Sequence, residues 1–128
     1  MKPGVLHLDT HVVCWLYAGA LHQLSETARV YLEKNELGVS PGVVAEMGVL
    51  HERGLLRLGA LEIIDDLEQR IGLRVLSIDA HALVKKSLAL GWASDPYDRL
   101  IAAHALHDEA SLLTKDALFH AHFPPAVW

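Results

Sequence analysis

Short apolar stretches alternate with longer amphipathic ones along this chain, and no hairpin turn joins any two of the apolar stretches. Antiparallel neighbours can be linked by a two-residue turn, whereas parallel strands need a crossover of a dozen or more residues, usually a helix. The pattern therefore calls for an α/β fold with a mainly parallel central sheet. Strands are expected at residues 5–9, 37–40, 73–78 and 111–114, with 125–128 as a short edge strand. Between them, helical spacing follows Thr10 as a cap up to a stop at Gly19, and Ser25 as a cap over residues 26–36. Pro41 opens a helix that Gly54 stops, residues 61–69 form another, and Asp79 caps a segment over 80–91.

At 128 residues the whole chain, 1–128, reads as one domain able to bury a core without disulfides. The residues are 52% hydrophobic, yet no apolar run reaches the roughly 18 needed to span a bilayer. Pro3, Gly4 and Asp9 interrupt the N-terminal segment, which does not read as a secretory signal. The lone Cys14 cannot form an internal bridge and suits a reducing compartment, with the cytoplasm as the expected location. A net charge of −5 argues against a simple basic nucleic-acid-binding module. It leaves room for an enzyme whose clustered acids hold cations.

The segment SDPYDRLIAAHA, residues 94–105, carries an acid more than capping requires. Asp95 is placed as N-cap, Pro96 as the first helical residue and Asp98 as the third. Asp9 closes the first strand, and Asp116 lies just past the strand at 112–113. Glu46 stands in an otherwise apolar stretch of Val43, Val44, Ala45 and Met47. Ligands of open parallel sheets bind at the carboxyl ends of the strands, so these four acids can meet on one rim. Each also has an ordinary reading. Asp9 and Asp116 can cap helices, Asp98 can be a first-turn acid, and Glu46 can sit on a solvated stripe.

Carboxylates are hard oxygen ligands suited to Mg2+ or Mn2+. No Gly-rich phosphate loop, G-x-S-x-G elbow or CxxC pair competes with them. The nine histidines include pairs at His104/His107 and His120/His122, neither with the spacing of a helical zinc site. They are expected to be surface or partly buried imidazoles. Lys85 and Lys86 read as a solvated helix face, and Arg53 and Arg57 as either an RNA path or helix-end cations.

In order, HLDTHVVCWLY, SPGVVAEMGVLHERGLLRL, SDPYDRLIAAHA and SLLTKD resemble the PIN-domain ribonucleases. More narrowly, they are similar to VapC-type toxins of bacterial toxin–antitoxin pairs. The resemblance implies a three-layer α/β/α sandwich and endonucleolytic RNA cleavage with Mg2+ or Mn2+ and a metal-activated water. It assigns Asp9, Glu46, Asp98 and Asp116 to the metal, with Thr10 and Thr114 supporting them and Asp95 as cap and outer neighbour. Arg99 is implied as a phosphate contact or the partner of a nearby acid; beside it, Arg53 and Lys115 are candidates for RNA contact. An antitoxin protein and a homodimeric state also follow from it. The chain departs from the pattern at Ala45, where relatives often carry Trp, and at Trp92-Ala93-Ser94, which replaces His-Gly. Those departures are expected to affect substrate fit or antitoxin docking. Two other readings stand beside this one: a non-catalytic PIN-like interaction protein with an inert acidic site, and a phosphatase built on Asp9. The second lacks the nearby acid of a DxD motif.

Overall fold

The computed structural model describes residues 4–128, so Pro3 lies outside the described residues. Its strands are β1 (Val5–Leu8), β2 (Glu36–Val39), β3 (Arg74–Val75), β4 (Leu112–Leu113) and β5 (Ala126–Val127). They form one sheet in the order β3-β2-β1-β4-β5, and every pairing is parallel. The connections are the helices α1 (Thr10–Ala18), α2 (Glu26–Lys34), α3 (Pro41–Glu52), α4 (Ala60–Ile71), α5 (Ala80–Ser87), α6 (Pro96–His107) and α7 (Ala117–His122). A 3₁₀ turn at Leu21–Gln23 separates α1 from α2. The result is a three-layer α/β/α sandwich. On β1, Leu6, His7 and Leu8 are all buried although they alternate between faces, as a sheet covered on both sides requires.

Local chemistry accounts for most boundaries. Ser25, Ser40 and Asp79 accept hydrogen bonds from the backbone amides of Ala28, Gly42 and Ala82, closing the starts of α2, α3 and α5. Gly19 and Gly72 end α1 and α4 at φ of 70° and 71°, a left-handed conformation that costs a side-chain-bearing residue more. One expected cap is corrected. Asp9, not Thr10, caps α1, because its Oδ1 accepts the Thr10 amide and Thr10 is already the first helical residue.

Several expected elements are shorter. The strand expected at 73–78 is only Arg74–Val75, since its partner β2 ends at Val39 and the chain turns into α3 after Ser40. The helix expected to reach residue 36 stops at Lys34, because Glu36 pairs with Val5 in the sheet. Likewise α5 ends at Ser87, whose hydroxyl donates to the Val84 carbonyl.

The strand order creates the site. From β1 the chain moves outward through β2 and β3, then returns to lay β4 against the other side of β1. The crevice between the carboxyl ends of β1 and β4 is the switch point where such sheets bind ligands. Helix α3 packs closely on α6. A Cβ on Gly42 would stand 3.1 Å from the Cβ of Leu100, so the missing side chain lets the two helices approach. That approach carries Glu46 toward the first turn of α6.

Trp92 has a structural role. Its ring meets Phe119 edge-on at 5.4 Å and stacks on His122 at 5.7 Å, fastening the segment before α6 to α7. Phe119 is fully buried and also packs edge-on against Phe123. Phe119→Ala is expected to cost about 3–5 kcal/mol of unfolding free energy, measured by urea denaturation.

Candidate active site

Asp9 stands where β1 becomes α1, and its backbone amide donates to the Leu113 carbonyl at the end of β4 at 3.1 Å. Its Oδ1 accepts the Thr10 amide at 2.8 Å, and its Oδ2 accepts the hydroxyl of fully buried Thr114 at 2.6 Å. The Thr114 oxygen in turn accepts the Asp116 amide at 3.1 Å, while Asp116 Oδ1 caps α7 through the Leu118 amide at 2.7 Å. From α1, the Thr10 hydroxyl donates to Glu46 Oε1. At the start of α6, Asp95 Oδ1 accepts the amides of Tyr97 and Asp98 at 2.7 and 3.2 Å.

Glu46, Asp95 and Asp98 each present a carboxylate oxygen, all within 4.8 Å of one another. Burial is the main cause that pushes the Asp98 carboxyl up, to about 7. The charges of Asp95, Asp9, Glu46 and Asp116 add to it in that order, so all four lie near enough to repel this carboxyl. Burial likewise raises Glu46 and Asp9 above the usual carboxylate range. Hydrogen bonds from Thr10 to Glu46 and from Thr114 to Asp9 oppose that rise without cancelling it.

The tightest trio therefore contains Asp95, which the sequence reading made a cap and outer neighbour of the site and not one of its ligands. Capping uses Oδ1 alone and does not remove Asp95 from its acidic neighbours. Asp9 and Asp116 lie on the other flank. There, with His11, Trp15 and Lys115, they line an open cavity of about 330 Å3. Lys115 Nζ sits 5.9 Å from the Trp15 ring centre. His11 and Trp15 were missed as members of this flank, although their i, i+4 spacing just after Asp9 places both beside it.

The cations expected to meet RNA divide. Lys115 is on the rim. Arg99 is turned inward, its Nε donating to the Ala93 carbonyl, and among the described residues it forms no ion pair. Arg53 caps the far end of α3, roughly 10 Å along the axis from Glu46. Arg57 is exposed in the loop beyond, and Lys85 and Lys86 are exposed in the last turn of α5. His104 is fully buried on α6, against the expectation of a surface or partly buried ring.

The structure is thus a parallel α/β sheet with carboxylates gathered at its switch point, a donor set that could hold a hard cation. The PIN domain family model matches residues 6–122, and the chain belongs to that family. Its fold is similar to VapBC2 from Rickettsia felis bound to a promoter DNA fragment, with TM-score 0.68, 19% identity and 96% of each chain covered. It is also similar to a toxin–antitoxin complex from Klebsiella pneumoniae, with TM-score 0.66, 18% identity and 96% of each chain covered. VapBC-1 from nontypeable Haemophilus influenzae gives TM-score 0.58 at 20% identity, over 97% of this chain and 96% of that one. No curated protein matches the sequence. Among the described residues, no helix is long and apolar enough to cross a membrane.

A carboxyl that keeps its proton to about pH 7 when folded, but releases it near 3.8 when unfolded, makes stability fall as pH rises between those values. Asp98→Asn removes that penalty. Its stability relative to the parent protein is expected to grow from about pH 4 to about pH 7 and then level off, read by urea unfolding in EDTA. A difference that stays flat with pH would mean that Asp98 ionises normally.

Proposed function

We propose that this chain, taken as a single PIN domain, is a Mg2+- or Mn2+-dependent endoribonuclease and the toxin of a toxin–antitoxin pair. The observation that carries the reading is the half-buried Asp98 carboxyl at the switch point of the sheet, grouped within 4.8 Å with Glu46 and Asp95 and repelled also by Asp9 and Asp116. Such a gathering is costly without a cation, and its donors are all carboxylate oxygens, which fit Mg2+ or Mn2+ better than softer ions. Asp9, Glu46, Asp98 and Asp116 would hold the metal, with Asp95 contributing its second oxygen. When bound, the cation supplies Lewis-acid stabilisation of the charge that develops on a phosphodiester.

The chain's own groups do the rest. The Thr114 and Thr10 hydroxyls hold the Asp9 and Glu46 carboxylates in place. Lys115 beside the acids supplies a positive charge for an RNA phosphate, and Trp15 and His11 offer flat surfaces next to it. Arg99 keeps the Ala93–Asp95 segment in position through the Ala93 carbonyl, and its remaining guanidinium donors are available to a phosphate. The toxin reading is supported by the fold shared with proteins described in toxin–antitoxin complexes. It carries with it a cognate antitoxin, a homodimer and a cytoplasmic place of action.

The test uses purified chain freed of any bound protein and assayed on RNA with Mg2+, Mn2+ or EDTA. Cleavage is expected with either metal and not with EDTA. Asp98→Asn is expected to lower it by at least about 100-fold, because a ligand should matter no less than its outer neighbours. Asp95→Asn keeps a capping oxygen and should melt like the parent protein while cleaving about tenfold more slowly. Cleavage that survives both EDTA and Asp98→Asn rejects the metal mechanism. Failure to cut any RNA favours the non-catalytic interaction protein. Co-purification with the product of a short adjacent reading frame tests the toxin assignment separately.

A further inference from the structure

A second cluster lies away from the acidic rim. His7, between Leu6 and Leu8 on β1, is 1% exposed, and His104, one to two turns along α6 from Asp98, is fully buried. Their rings meet edge-on, 5.0 Å apart at 72°. Asp108, which caps the end of α6, accepts a hydrogen bond from His7 Nε2 at Oδ2 over 2.8 Å and holds the same oxygen 3.5 Å from His104 Nε2. One ligand atom from each residue lies within 4.8 Å of the other two.

Packing alone does not account for this arrangement. Among the described residues, His7 Nδ1 and both ring nitrogens of His104 are buried without a hydrogen-bond partner. The Ser77 backbone lies near enough to His104 to bias its charge but outside bonding geometry. Buried polar atoms left unpaired are rare in folded proteins and often mark an ion or water. We propose that His7, His104 and Asp108 form a second metal site, for Zn2+ or a similar borderline cation, clipping β1 to the end of α6.

Three arguments carry it. Two imidazoles and one carboxylate are the donor set of a three-ligand zinc site, unlike the all-carboxylate rim. Zinc bonds of about 2.0–2.1 Å in a tetrahedron set neighbouring ligand atoms roughly 3.3 Å apart, between the observed 2.8 and 3.5 Å. Access exists as well, because the Asp108 side chain is 32% exposed and lines an open cavity of about 480 Å3 with Gly4 and Ser111. The site is independent of the ribonuclease reading. It holds two elements together and touches no substrate.

The test titrates the purified chain with Co2+ as a spectroscopic stand-in for Zn2+, following visible absorption. The parent protein and Asp98→Asn are both expected to show the intense bands of a four- or five-coordinate ion, displaced by Zn2+. Asp108→Asn alters a partly exposed position and should still fold, as checked by circular dichroism. It should bind Co2+ at least about tenfold more weakly and lose those bands. His104→Gln should lose them too if it folds. Bands unchanged in Asp108→Asn would overturn the proposal. So would weak six-coordinate bands alone that disappear in Asp98→Asn.

Discussion

The hydrogen bond from the Thr114 hydroxyl to Asp9 Oδ2 is the contact on which the rest of the site depends. It joins the carboxyl ends of β1 and β4, the two strands on either side of the switch point. A charge-assisted bond of this kind is worth about 1.5–3 kcal/mol. The same oxygen of Thr114 orders the turn into α7 by accepting the Asp116 amide. Asp9 thus ties the sheet together, caps α1 and faces the acidic crevice with one side chain. Asparagine at this position would retain much of the capping and little of the charge.

Around that contact, the fold accepts a cost. Five carboxylates share one rim, and burial raises Asp9 and Glu46 despite the hydrogen bonds that favour their charged forms. A structure selected for stability alone would hold these charges apart or neutralise them with arginine. Here Arg99 is adjacent in sequence to Asp98 but is committed to the Ala93 carbonyl. Repulsion among carboxylates that outnumber the cations beside them is what a divalent cation relieves. The donor chemistry separates this rim from the His7–His104–Asp108 cluster, where two buried imidazoles would suit a softer ion.

Much of the scaffold was legible because its signals are local. Asp95-Pro96 at the start of α6, Ser25 before α2 and Gly19 after α1 each act within one turn, and each lies where the spacing places it. What failed depended on distant partners. Residues 73–78 alternate like a strand, but β2 runs out after two pairings. Thr10 looks like a cap, yet its hydroxyl belongs to Glu46, thirty-six residues away. Asp95 looked fully employed as a cap because sequence shows which residue caps and not which oxygen. Helical spacing alone gave no hint that His104 would face His7, since they meet only when α6 is laid on β1.

By itself, the sequence determined the alternation of strands and helices, hence a parallel sheet, and it marked the acids that stand at strand ends. Short-range sterics, caps and apolar spacing are sufficient for that. Only the tertiary structure decided which acids share a crevice, which cations face it and which histidines are sealed inside. Those outcomes rest on strand order and on how closely α3 approaches α6. Both are set by long-range packing, including the absent side chain at Gly42.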